Sequence, residues 1–234
     1  MLRIVAMSDM HGELPVEVQK CDVVVIAGDI MPLDIQRNIP ASAKWFKEVF
    51  IKWANGLPCH KVILVAGNHD FWMETERWRG LYPHTPCITY SLLSPNKDSK
   101  IIYLRDSGYE FNGYKFWGSP WVDGLPCWAF NTETQATYFN KIPQDTDILI
   151  THAPAYGEVG TVLQKCWNYR SNYGSIALRK VLEEEGCQIK LSFAGHIHSG
   201  LHAGEKIGNT MCYNVSIKDE NYKYVYEPFY IELE

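Results

Sequence analysis

Three stretches of the chain are apolar at nearly every position and rich in β-branched residues: Leu2–Met7, Val23–Ala27 and Val62–Ala66. Runs of this kind predict strands buried on both faces, as in a parallel or mixed sheet covered by further layers. Each ends in a loop punctuated by Gly, Ser or Asp. Between the second and third, Trp45, Phe46, Val49, Phe50 and Trp53 recur at helical spacing across Ser42–Asn55, with Gly56 placed as a C-terminal cap. The middle of the chain changes period. Tyr109-Glu110-Phe111 and Tyr114-Lys115-Phe116 alternate around Asn112-Gly113, which predicts a tight hairpin. Further strands are expected at Ile101–Leu104, Asp147–Ile150 and Ile189–Ala194, with Met211–Ser216 and Tyr224–Leu233 closing the sheet. A helix over Ser175–Glu185 is stopped by Gly186. No repeat, low-complexity tract or linker interrupts the pattern, so residues 1–234 are expected to form a single α/β domain.

The polar residues that close the apolar runs are unusual. They are Asp9-Met10-His11, Gly28-Asp29, Gly67-Asn68-His69-Asp70, Thr151-His152 and Gly195-His196-Ile197-His198. Ligands of open α/β sheets bind beyond the carboxyl ends of strands, so residues distant in sequence converge on one crevice there. An aspartate at a strand end ordinarily caps a turn, and a single histidine ordinarily packs. An i, i+2 histidine pair after a buried run has no ordinary packing role. Five such clusters in order, each after a strand, point to a site for two metal ions.

Composition removes several alternatives. A chain of 234 residues buries roughly 70–75% of its unfolded surface, and 46% hydrophobic residues is ordinary for a globular protein. With a net charge of -5 and no run of lysines or arginines, no stable nucleic-acid complex is expected. A small phosphorylated substrate fits, because bound cations dominate a local field. The seven cysteines are scattered and form no Cys-x-x-Cys pair, which disfavours a disulfide framework or a zinc knot. A strand beginning at Leu2 leaves no room for a signal peptide, and no apolar stretch spans a bilayer. The cytoplasm is the expected compartment, with no membrane association.

In their order and spacing the clusters resemble the calcineurin-like metallophosphoesterases. The resemblance runs from Asp9 to Asn214 and extends to the small metallophosphoesterase-domain-containing (MPPED-type) branch through Trp117-Gly118-Ser119-Pro120-Trp121, Trp128-Ala129-Phe130-Asn131, Thr151-His152-Ala153-Pro154 and Tyr213-Asn214-Val215-Ser216. It implies a four-layer α/β/β/α sandwich, two mixed β-sheets flanked by helices, with two metals at its mouth. Carried over residue by residue, Asp9, His11, Asp29 and His198 would hold one metal. Asp29, Asn68, His152 and His196 would hold the other, with Asp29 bridging. Oxygen and imidazole ligands without thiolate suit manganese, iron or zinc.

The implied activity is hydrolysis of a small phosphodiester, with a cyclic or linear nucleotide as the candidate, by in-line attack of a hydroxide held between the metals. Two divalent ions about 3.5–4 Å apart clamp the attacking and leaving oxygens, and bound water falls in pKa toward about 7. Two aspartates and a hydroxide leave a net charge of about +1 on the pair, a field suited to a monoanion. His69 is expected beside the leaving group, its ring diverging from the metal that Asn68 faces. Asp70 either orients that imidazole or caps a helix through Phe71–Arg79. Trp117, Trp121 and Trp128 either stack a substrate or pack a core, with Trp121 the candidate substrate contact. Arg170 is either a phosphate clamp or solvent-facing. The chain departs from the protein phosphatases of the same superfamily, reading Gly28-Asp29-Ile30-Met31-Pro32-Leu33 without their arginine, and Asp70 where they carry glutamate. The alternative function is a weakly active or inactive module that binds metal and nucleotide.

Overall fold

A computed structural model describes residues 1–74, 99–164 and 169–234; for residues 163, 164, 169 and 170 it describes the backbone only. The chain forms β1 (Leu2–Met7), β2 (Val23–Ala27), β3 (Lys61–Val65), β4 (Ile101–Tyr103), β5 (Ser107–Phe111), β6 (Tyr114–Ser119), β7 (Ile148–Thr151), β8 (Thr161–Gln164), β9 (Tyr169–Asn172), β10 (Leu191–Ala194), β11 (Glu205–Ile207), β12 (Thr210–Asn214) and β13 (Phe229–Leu233). Two mixed sheets result. One has the order β13-β1-β2-β3-β4 and the other β11-β12-β10-β7-β6-β5. In the first, only β13 runs antiparallel. In the second, β5 and β11 are the antiparallel edges.

The period-2 geometry of a strand divides each apolar run between two cores. Leu2, Ile4 and Ala6 of β1, with Val23, Val25 and Ala27 of β2, face Phe116, Ile148, Ile150, Leu191 and Phe193 of the opposing sheet. Val5, Met7, Val24 and Ile26 point the other way, onto Ile39, Ala43, Phe46, Phe50 and Ala54. Beyond the second sheet, Leu149 and Cys212 meet Phe139, Leu178 and Leu182. Helix, sheet, sheet and helix therefore stack in four layers, the architecture expected from the resemblance.

Element by element the pattern holds with local differences. The Asn112-Gly113 hairpin forms, both residues taking positive φ (51° and 78°), as a tight two-residue turn demands. The first helix starts earlier than its aromatic spacing suggests. Asn38 caps it, accepting from the Ala41 amide at 3.2 Å, and Pro40 occupies its first turn. A π-turn over Phe46–Phe50 interrupts it and stacks those two rings at 4.5 Å. Gly56 is its last residue rather than a left-handed cap. The helix expected over Ser175–Glu185 spans Ile176–Glu183, capped by Ser175. The last two strands close different sheets: β12 joins β10, whereas β13 pairs with β1. After Asp70 there is a single 3-10 turn, Phe71–Met73, and the rest of the helix expected to Arg79 lies outside the described residues.

The five clusters emerge at one edge. β1, β2 and β3 are parallel, as are β6, β7, β10 and β12 in the other sheet. A bridge between Ser8 and Ser216 ties the two sheets together there.

Candidate active site

Backbone hydrogen bonds lace the strand-end loops to one another. The amide of Asp9 donates to Gly28 O, that of His11 to Asp29 O, and that of Gly195 to His152 O, each at 3.0 Å. To turn so sharply, Asp9, His11, Asp29 and His196 adopt positive φ of 56°, 45°, 53° and 67°. Non-glycine residues in that region store strain and concentrate at functional sites. The glycines of the clusters allow close approach. A Cβ on Gly67 would collide with the Asp29 carboxylate and the His152 ring, and one on Gly195 with the Asp9 carboxylate.

Around Asp29, which is 2% exposed, the side chains converge. Its Oδ2 lies 3.3 Å from His152 Nε2, 3.8 Å from His69 Nε2 and 3.9 Å from His11 Nε2. His152 Nε2 is also 3.0 Å from Asn68 Oδ1, while its Nδ1–H donates to Ala27 O at 2.8 Å. Asp9 sits 3.3 Å from His198 Nε2, and His198 Nδ1–H donates to Asp219 O at 2.8 Å. The His196 ring stands 5.0 Å from that of His152, and its amide donates to both Asp9 oxygens. The seven residues expected to bind metal, Asp9, His11, Asp29, Asn68, His152, His196 and His198, are thus gathered in one place.

The buried carboxylates and imidazoles set one another's charge. Burial alone would raise the Asp9 and Asp29 carboxyls, yet facing histidines hold both well below the usual carboxylate range. Burial would lower His152 and His198, but Asp29 and Asp9 respectively raise each to about 9. Burial lowers His11 to about 4 and His196 to about 3. His11 also has both ring nitrogens buried without a hydrogen-bond partner. An orphaned buried polar atom costs about 1–3 kcal/mol, which coordination would relieve. Three overlapping groups, Asp9-His11-His198, His11-Asp29-His69 and Asp9-Asp29-His152, place their ligand atoms within 4.8 Å of one another. Carboxylate, amide oxygen and neutral imidazole are the donors that manganese, iron or zinc accept. The residues fit a divalent-metal centre.

Other expectations need correction. The His69 ring does not diverge from the cluster, since its Nε2 faces Asp29 and its amide donates to Asp29 Oδ1 at 2.8 Å. Asp70 neither touches that ring nor caps the following turn. Its Oδ1 accepts from the amides of Ile30 and Met31, each at 2.9 Å, and its Oδ2 from Gly67 at 2.8 Å. It is a clamp between two loops, and burial with the neighbouring Asp29 charge raises it to about 7. The partner of His69 Nδ1 is Gln36.

Trp121 lies in the core, stacked on Tyr138 at 3.9 Å, with its Nε1 donating to Asp106 at 2.8 Å. Trp117 packs against the third core. Arg170 pairs with Leu163 across β8 and β9, and its side chain lies outside what is described. The cleft has a volume of about 210 Å³. Its walls beyond the ligands are His69, Leu125, Trp128, Glu220 and Tyr222. Trp128 contacts the His69 ring at 4.4 Å, and Tyr222 the rings of His11 and His198 at 4.9 and 5.3 Å. Tyr222 and Glu220 sit on an aperiodic turn without a motif. Trp128 gives the same sequence signal as Trp121.

A buried set of carboxylates and imidazoles at the mouth of a two-sheet sandwich defines a metal-dependent hydrolase. The sequence profile described as calcineurin-like phosphoesterase matches residues 2–200, and the chain belongs to that family of metal-dependent phosphoesterases. Human metallophosphoesterase domain-containing protein 1 is 30% identical over 246 residues, spanning 99% of this chain and 71% of that protein. The branch resemblance therefore holds. Two solved structures share the fold alone. One superposes with a TM-score of 0.58 at 14% identity, covering 91% of this chain and 89% of its own. The other, a putative 5′-nucleotidase from Staphylococcus aureus, gives 0.50 at 11% identity, covering 91% of this chain and 48% of its own. No helix among the described residues is long and apolar enough to cross a membrane.

Proposed function

We propose that the chain hydrolyses a small phosphodiester. Asp9, His11, Asp29 and His198 hold one divalent cation, and Asp29, Asn68, His152 and His196 a second. The observation that carries this reading is the meeting of His11 Nε2 and His152 Nε2 within 4 Å of one Asp29 oxygen, with His69 Nε2 beside them. Bound there, the cations supply a nucleophile from water at neutral pH and offset charge on the phosphoryl oxygens.

The chain's own groups do the rest. Nδ1–H of His152 on Ala27 O and of His198 on Asp219 O leave each Nε2 to face its carboxylate. His69 directs Nε2 into the cleft, where it gives a proton to the departing oxygen. Trp128, Leu125 and Tyr222 form an apolar wall for the ester group. The described lining contains no lysine or arginine, and Glu220 stands on it. A carboxylate without a balancing guanidinium favours a diester monoanion over a monoester dianion.

The test is turnover of bis-(p-nitrophenyl) phosphate against p-nitrophenyl phosphate with manganese supplied. The diester is expected to be the better substrate, and His69→Ala to lose about 10²- to 10⁴-fold in kcat. Equal rates for wild type and His69→Ala contradict the role given to His69.

A further inference from the structure

The His69 ring is gripped from behind by one side chain. Its Nδ1 is hydrogen-bonded to Gln36 Oε1, and Gln36 Nε2 donates to Leu33 O at 2.9 Å. A carbonyl only accepts, so the amide nitrogen must face Leu33 and the amide oxygen must face His69. An oxygen opposite Nδ1 requires a proton on that nitrogen, because two facing lone pairs repel. Nε2 is then the atom left for the cleft, 3.8 Å from Asp29 Oδ2.

The segment that carries Gln36 is itself fixed. The Ile35 amide donates to Pro32 O, the Asn38 amide to Ile35 O, and Asn38 caps the first helix. Next to Gln36, the Arg37 guanidinium lies over Phe71 at 4.4 Å and over Trp128 at 4.7 Å. One short loop thus braces both the imidazole and the aromatic wall. Asp70, the acid next to His69 in sequence, is occupied by three backbone amides.

We propose that Gln36 is the positioning residue for His69, an uncharged acceptor that decides which ring nitrogen faces the substrate without touching the reacting atoms itself. The inference rests on the reading of His69 as the leaving-group residue. A side chain that orients a functional imidazole is typically worth about 10- to 100-fold in activity.

The experiment compares wild type with Gln36→Leu, which keeps bulk and removes the acceptor, and Gln36→Glu, which keeps an acceptor. Steady-state kinetics on bis-(p-nitrophenyl) phosphate with manganese are read beside metal content. Long-range ¹H–¹⁵N spectra of the metal-free protein report the His69 tautomer, with His69→Ala assigning the signal. Gln36→Leu is expected to lose about 10- to 100-fold in kcat with KM and metal content unchanged. Gln36→Glu should recover most of that loss, and the wild-type ring should carry its proton on Nδ1. The proposal is overturned by a wild-type kcat in Gln36→Leu, by a loss that Gln36→Glu does not restore, or by a wild-type ring protonated on Nε2 alone. If no protein hydrolyses any ester, the proposed function fails, and the tautomer spectrum still decides the role of Gln36.

Discussion

The same three strands, β1 to β3, behave differently at their two ends. At the amino edge Arg3, Asp22, Lys61 and Lys100 have ordinary partners. Arg3 meets Asp22 through its amide, Nε and Nη2 at 2.9, 3.1 and 2.7 Å. Lys61 donates to Ser99 O, and Lys100 to the carbonyls of Asn55 and Leu57. At the carboxyl edge Asp9, Asp29 and Asp70 are almost fully buried, the non-glycine residues Asp9, His11 and Asp29 hold left-handed backbone, and His11 has no hydrogen-bond partner for either nitrogen. Buried charge and strain cost stability and persist where a site needs them. The contrast separates stabilising residues from working ones along one sheet.

Substitutions at the two edges sharpen that contrast. The largest effect belongs to Gly67→Ala, whose Cβ would enter the space of Asp29 and His152. It should cost about 1–3 kcal/mol in urea unfolding and deplete bound metal; an unchanged midpoint with full metal content contradicts the packing described. Next comes Tyr222→Ala in the cleft wall, expected to raise KM for an aromatic diester roughly 2- to 10-fold while leaving metal content intact. An unaltered KM would remove Tyr222 from the substrate wall.

At the amino edge the effects shrink. Asp22 is lowered to about 2, chiefly by the hydrogen bond from Arg3, against an ordinary value of 3.8. A depressed carboxyl stabilises the fold above its unfolded value and loses that contribution as pH falls through the folded one. Asp22→Asn should therefore lower the urea midpoint slightly at pH 7, with the gap closing between pH 3.8 and about 2. A gap that widens on acidification contradicts the pairing. Both edges can be read from urea titrations of the same protein.

Much of this was legible in the sequence, and for definite reasons. Continuous apolar runs specify strands buried on both sides, and a ligating residue just past such a run has one place to go. All seven ligand candidates meet for that reason. Asp70 misled because a carboxylate beside a histidine in sequence suggests a pair, whereas three backbone amides compete for it more favourably. Gln36, Glu220 and Tyr222 arrive on aperiodic loops, where no spacing marks a side chain that turns inward. Trp121 and Trp128 are alike in sequence, and it is contacts such as the Asp106 acceptor and the Tyr138 ring that draw the first into the core. The pairing of β13 with β1 joins the two ends of the chain, a contact that local pattern cannot encode.

Anomalous X-ray diffraction from crystals grown with manganese tests the central claim most directly. The account predicts two peaks about 3.5–4 Å apart on either side of the Asp29 carboxylate, with Asn68 and His196 on one flank and His11 on the other. Density lacking any such pair around Asp29, or cations bound only elsewhere on the molecule, would contradict it.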